Sequence, residues 1–214
     1  MVSNIYLIIF ERDFHKMDKT LYKKKPPGRI KIVQALQELL EEKDFNAITT
    51  FEIATKASVT EGLIYKYFKN KRDLLYETLA ESFETFIQQT NQRIEKETKA
   101  IDKIKGLVYA YLFNYSTDKV MARILLLEVR NSKDFYESKA YSLVQEHSLS
   151  VLNIIEQGMI NNEITKNINA SIIRSSLFGA IEHACLPCIL FDRNINVEDK
   201  TADICEMIFN GIKV

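Results

Sequence analysis

Behind Pro26-Pro27-Gly28, which breaks regular structure, apolar residues return at Ile32, Val33, Leu36, Leu39 and Leu40 with the three-and-four spacing of one helix face. This stripe predicts a first helix that stops near Asp44. Thr49-Thr50-Phe51-Glu52 then places a hydroxyl three residues ahead of a carboxylate, in capping-box order, before Ile53, Ala54 and Ala57. A short second helix is expected there. Ser58-Val59 supplies a turn and Thr60 a new cap, so a third helix should carry Leu63, Ile64, Tyr67 and Phe68 before Asn70 caps a fourth with Leu74 and Leu75. Two short helices across a tight turn read as a helix-turn-helix.

The helical spacing continues at Leu79, Phe83, Phe86 and Ile87, then from Ile101 to Tyr115 and from Val120 to Val129. Tyr141, Val144, Val151, Ile155 and Met159 mark a longer helix that Asn161-Asn162 interrupts, and two more run from Ala170 to Leu190 and from Val197 to Ile212. Pro187 removes a backbone donor and crowds the His183 carbonyl, so the first of these two should kink or stop there. The expectation is an all-α fold of about nine helices. Its parts would be an N-terminal extension with a basic arm (1–28), a three-helix unit that holds the helix-turn-helix (29–75), and a helical bundle (76–214).

With 46% hydrophobic residues among 214, the chain can bury a sizeable core, and three Pro and six Gly are too few turn residues for a many-stranded β fold. Basic and acidic residues balance at 29 each, yet the chain through Arg72 carries 14 basic against 9 acidic, and the rest 15 against 20. That asymmetry suggests a polyanion partner for the first part only. Cys185, Cys188 and Cys205 are too few for a disulfide framework, which fits the cytoplasm. The apolar opening Ile5–Phe10 is far shorter than the ~20 residues of a spanning helix and lacks the flanks of a leader, so no membrane role is expected. Met17 is an alternative start, and the first 16 residues are given no function.

A DNA-reading helix must present groups to base edges from its first turn while its flanks grip phosphates. Thr60, Glu61, Gly62 and Leu63 form that turn here: Glu61 suits a cytosine amino group, Leu63 a thymine methyl, and Gly62 a close backbone approach. Tyr65, Lys66 and Tyr67 follow, and Lys71 opens the next helix, where its ammonium and the helix N-terminus can share a phosphate. No nucleophile elbow, phosphate loop or histidine with a nucleophile at a telling distance is present, so an enzyme is not expected; neither is a cofactor or a metal.

The run from Ile48 to Leu75, with its threonine cap, Ile53-Ala54, turn, Tyr65-Lys66-Tyr67-Phe68 and Lys71, resembles the DNA-binding segment of the TetR/AcrR (tetracycline-repressor type) family of bacterial transcriptional regulators. The resemblance implies an all-helical homodimer on a palindromic operator of double-stranded DNA, released by a small-molecule effector. By position it implies that Thr50, Tyr65, Tyr67 and Lys71 grip phosphates and that Glu61, Gly62 and Leu63 face bases, with Thr49, Thr60 and Lys66 beside them in a DNA-binding domain (29–75) and with ligand binding and dimerisation left to 76–214; Tyr67 also suits a core place under Phe68. Ser58 stands where the family usually has Gly, a cost of roughly 1 kcal/mol if φ is positive there. Lys23-Lys24-Lys25 reads as a backbone or minor-groove arm, or as a solvated tail.

In the second part, Leu127-Glu128-Val129-Arg130-Asn131-Ser132, Ile155-Glu156-Gln157-Gly158-Met159 and Leu177-Phe178-Gly179-Ala180-Ile181-Glu182 are similar to the fatty-acid-metabolism branch of that family, which implies a long-chain acyl-CoA effector. By the family resemblance, Phe83, Phe86, Tyr109, Tyr111, Phe113, Tyr115, Met121 and Leu125 fall in helices that line the ligand pocket, each otherwise an ordinary core residue. Arg123 and Arg130 are candidates for anionic ligand groups, though Arg130 equally suits a pair with Glu128 or another bundle carboxylate. Ile173, Leu177, Ile181 and Ala184, with Ile204, Ile208 and Ile212, form apolar stripes expected at the dimer interface, and Gly179 permits close approach. Alternatives are an activator of the same fold, a helical interaction module without DNA binding, and a redox or metal sensor built on His183, Cys185 and Cys188.

Overall fold

The computed structural model describes residues 25–212, the side chain of Ile212 excepted. The apolar opening, the alternative start at Met17, and Lys23 and Lys24 of the basic run lie outside the described residues. The described residues hold nine α-helices and no strand, in two compact units that divide between Lys71 and Arg72.

The first unit contains α1 (Pro27–Glu42), a 3-10 turn (Phe45–Ala47), α2 (Thr50–Ala57) and α3 (Glu61–Tyr67). Pro27 sits in the first turn of α1, where its missing N–H costs nothing. The expected stripe of α1 is buried against α2 and α3, which add Ile53, Ala54, Ala57 and Ile64 to one small core. Thr49 closes the reciprocal capping box: its hydroxyl accepts from the Glu52 N–H at 3.2 Å, and its own N–H donates to Glu52 Oε2 at 2.8 Å. Ser58 does adopt the left-handed region (φ 54°, ψ 48°), so the strain foreseen at this turn is present. Thr60 occupies the cap position of α3, but its hydroxyl makes no capping bond, contrary to expectation.

In the second unit, α4 (Lys71–Ile94) starts at the boundary and is followed by α5 (Ala100–Thr117), α6 (Lys119–Arg123), α7 (Lys139–Ile160), α8 (Ala170–Phe191) and α9 (Val197–Ile212). Helix α5 is the hub, packing on α6, α7, α8 and α9, and it is accordingly apolar on nearly every side. The single helix expected from Val120 to Val129 is instead one α turn, a π turn (Ile124–Glu128) and 3-10 turns at Val129–Asn131 and Lys133–Glu137. Ile124, Leu126 and Val129 are all buried along this irregular stretch, so its residues enter the core from more than one side of the winding. Gly158 of α7 has no room for a side chain, because a Cβ would lie 2.7 Å from both Ala100 Cβ and Ile164 Cδ1.

Helix α8 does not stop at Pro187 but runs on to Phe191, ending where Asp192 turns left-handed and its N–H bonds the Pro187 carbonyl. By length and apolar composition alone α8 is able to cross a membrane, although a third of the qualifying stretch is buried in the bundle. Ile173, Leu177, Ile181 and Ile204, expected at a dimer interface, are 1–6% exposed within the single chain. They are its own core, since the most apolar stripe of a helix turns inward first. Ala184 and Ile208 are half-buried, and the open face of α8 carries Ile172, Gly179, Leu190 and Phe191 instead.

Candidate functional site

Helix α3 exposes Gly62, Tyr65 and Lys66, with Thr60 exposed just ahead of it and Glu61, Leu63 and Tyr67 half-buried. The first turns of α2 and α3 are tied together, because Thr50 Oγ1 donates to Glu61 Oε1 at 2.7 Å. Leu63 rests on Gly28 of α1 so closely that a Cβ there would meet Leu63 Cδ2 at 2.8 Å, so a larger residue at position 28 would make the Leu63 side chain turn aside. Tyr67 meets Phe68 edge-on at 6.4 Å, so its ring has a packing role in addition to its half-exposed edge. Phe51, missed in the sequence reading, is 66% exposed in the first turn of α2 beside Thr50.

Lys71 was expected to point outward to a phosphate. Its ammonium instead donates to the carbonyls of Phe45 and Ile48 at 2.9 and 2.6 Å and lies 4.4 Å over the Phe45 ring. It thereby pins the segment that leads into the Thr49 cap, a positioning role that spacing alone did not reveal. Lys43 holds Glu52 at 2.5 Å, and this bond, with those from the Thr49 backbone and hydroxyl, lowers the Glu52 carboxyl to about 2. The anionic half of the capping box therefore persists at any physiological pH.

A cleft in the second unit is lined by Leu79, Ser82, Phe83 and Phe86 of α4, Asn114 and Tyr115 of α5, Met121, Ala122 and Leu125 around α6, and Ala140 and Val144 of α7. It joins five of the expected pocket residues, Phe83, Phe86, Tyr115, Met121 and Leu125. Tyr109 and Phe113 lie elsewhere on α5, stacked at 6.1 Å, with the Tyr109 hydroxyl 3.3 Å from Glu198 of α9 and Arg93 4.6 Å from its ring. The cleft measures ≈ 430 Å³ including its open mouth, but it encloses a cavity of only ≈ 20 Å³. That is room for about one water, so an elongated ligand must push the walls apart.

Arg123 is half-buried and outside the cleft lining, while Arg130 forms a two-pronged pair with Glu182 of α8 at 2.9 and 2.7 Å. That pair raises the guanidinium further above its ordinary value. Behind Phe83 and Phe86, His147 is 3% exposed and neither ring nitrogen has a hydrogen-bond partner. Desolvation lowers its pKa to about 4, so the ring is neutral at physiological pH. Burial pushes the Cys185 thiol up to about 12 and raises Cys188, opposite to what a reactive pair needs, and His183 faces solvent away from both. Among the described residues no cluster of His, Cys, Asp and Glu is able to hold a metal.

A helix-turn-helix with an open, tyrosine- and lysine-bearing second helix, in a chain whose bundle holds an apolar cleft, defines a helical DNA-binding regulator. The chain belongs to the tetR family of bacterial regulatory proteins: that family's N-terminal model matches residues 32–78, and the model of the C-terminal region of YsiA-like protein matches 79–211. It is accordingly a transcriptional regulator and not an enzyme. The chain is 24% identical over 190 residues to the fatty acid metabolism regulator protein of Bacillus subtilis, covering 89% of this chain and 98% of that protein. The crystal structure of the Bacillus subtilis regulator FadR in complex with stearoyl-CoA superposes with a TM-score of 0.77 at 23% identity, covering 85% of this chain and 98% of that one. The fatty acid degradation regulator FadR of Bacillus halodurans gives 0.79 at 21% identity, covering 88% and 98%.

Proposed function

We propose that the chain is a dimeric repressor that binds a palindromic operator and leaves it on binding a long-chain acyl-CoA. The observation that carries this reading is the origin of the cleft: four of its lining residues, Leu79, Ser82, Phe83 and Phe86, belong to α4, the helix whose first residue pins the entry to α2. The stearoyl-CoA complex of the Bacillus subtilis relative supports the ligand class. An acyl chain entering a cleft this narrow must displace the α4 side chains, so ligand and operator favour different α4 positions and weaken each other by one factor. Ser132 steadies the resting position, accepting from Arg72 at 3.0 Å while bonded to the Tyr76 hydroxyl at 2.9 Å.

On DNA we assign Gly62, Leu63 and Glu61 to the base-facing turn and Thr49, Thr50, Tyr65, Lys66 and Tyr67 to the backbone. Lys71 serves by holding the α2 entry. The anionic end of the effector we assign to Arg123 and Arg130, with Glu182 yielding Arg130 to the ligand. The dimer face we assign to the open side of α8 at Ile172, Gly179, Leu190 and Phe191, joined by Met207 of α9, all exposed in the single chain. The site of action is the cytoplasm, where operator DNA resides. Selection of bound sequences from random duplex, with and without stearoyl-CoA, tests the reading: the expected result is a palindrome recovered only without ligand. A palindrome recovered equally in both arms removes the effector class, and no enrichment removes the operator.

A further inference from the structure

Ala140, Val144 and His147 fall at i, i+4 and i+7 along α7, one continuous stripe, and the first two line the cleft. The His147 ring lies 6.0 Å from Phe83 and 5.8 Å from Phe86, both cleft residues, and 5.7 Å from Tyr111, measured between ring centres. Aromatic walls satisfy the imidazole's packing but not its donor and acceptor, and an almost fully buried ring with both nitrogens unbonded is rare in folded proteins. The neighbouring cleft encloses a cavity of only ≈ 20 Å³, so a ligand that widens it by turning Phe83 and Phe86 extends the wall one turn along α7, onto the imidazole.

We infer that His147 is the hydrogen-bonding point of the ligand cavity, binding an oxygen atom carried on an otherwise apolar chain. This deepens the proposed function and rests on its assumption that the cleft takes an elongated apolar effector. A neutral imidazole offers one N–H and one bare nitrogen. The N–H donates to an acyl carbonyl oxygen, whereas a chain hydroxyl bonds to either nitrogen. In both cases the ligand supplies the partner that the resting bundle lacks. Selectivity follows, because a chain without oxygen leaves the ring unbonded.

The test uses the full chain labelled with ¹⁵N-histidine, which gives only three imidazoles to resolve, and assigns His147 by its loss in His147→Phe. Palmitoyl-CoA, 1-dodecanol and dodecane are the probes. The expected result is a change in the His147 ring ¹⁵N shifts on saturation with the first two, and a loss of about ten-fold or more in the preference for dodecanol over dodecane in His147→Phe. His147→Gln, which keeps a donor and an acceptor, should recover most of that preference. Operator affinity without ligand should stay within about two-fold in both variants, which reports an intact fold. Unchanged ring shifts at saturation, an unchanged preference in His147→Phe, or binding of none of the probes overturns the inference. Binding of dodecanol through His147 without palmitoyl-CoA binding upholds it while removing the acyl-CoA reading.

Discussion

The two units of this chain differ in what surrounds their functional centres. In the helix-turn-helix unit, Thr49 with Glu52, Thr50 with Glu61, Lys43 with Glu52 and Lys71 with two carbonyls tie nearly every turn to another. In the bundle, the ring cluster of Phe83, Phe86 and Tyr111 surrounds an unbonded imidazole, next to a cleft that is nearly closed and a helix that changes winding after Arg123. A reading surface gains specificity from one fixed geometry, whereas a sensor needs a second packing within a few kcal/mol of the first. The polar ties serve the former need and the aromatic cluster the latter.

The sharpest way to break this comparison is paired truncation. Ile64→Ala, at a fully buried site in α3, should cost roughly 2–5 kcal/mol and abolish operator binding. Leu125→Ala, half-buried at the cleft, should cost about 1–2 kcal/mol and tighten binding of bulkier chains. Urea unfolding and ligand titration check both, and equal costs would mean that the bundle is as rigid as the head. Next in size, Lys71→Met keeps the stem but strands the Phe45 and Ile48 carbonyls, at about 2–3 kcal/mol, and should weaken every duplex alike. Full stability in that variant would leave the inward ammonium without a structural role.

Acid should separate the units further. His147 takes up its proton less readily folded than unfolded, so its neutral burial supports the fold at neutral pH and that support is lost as pH falls from about 6.5 toward 4. The loss should reach about 2 kcal/mol by pH 5 and vanish in His147→Phe, read as urea midpoints at fixed protein concentration. Glu52 loses a negative charge where His147 gains a positive one, and the direction is the same: its ties hold above the ordinary carboxylate range and are lost only as pH falls from 4.5 toward 2. Coincident loss of bundle and head signals at pH 5 would contradict that order. The smallest effect is a gain: Ser58→Gly should relieve the left-handed turn by about 0.5–1 kcal/mol, seen as a small rise in Tm without a change in operator affinity.

Much of the head was legible in the residues because its signals are local. A capping box, a proline in a first turn and a left-handed serine are settled within four residues of themselves, whatever surrounds them. The same holds for nine helices spaced as the apolar pattern requires. Periodicity says that a stripe is buried but not against what, which is why Ile173, Leu177 and Ile181 read as an interface and lie in the chain's own core. Pro187 is likewise a breaker by local rule, yet α8 continues past it inside a packed bundle.

Residue order alone thus determined the helical architecture, the reading head and the family likeness, since each rests on contacts a few positions apart. Only the folded chain decided that Lys71 turns inward, that Glu61 takes the Thr50 hydroxyl, and that His147 lies unbonded among three rings. Those outcomes depend on groups 11 to 64 positions apart competing for the same space and the same hydrogen bonds, and no short window of sequence contains that competition.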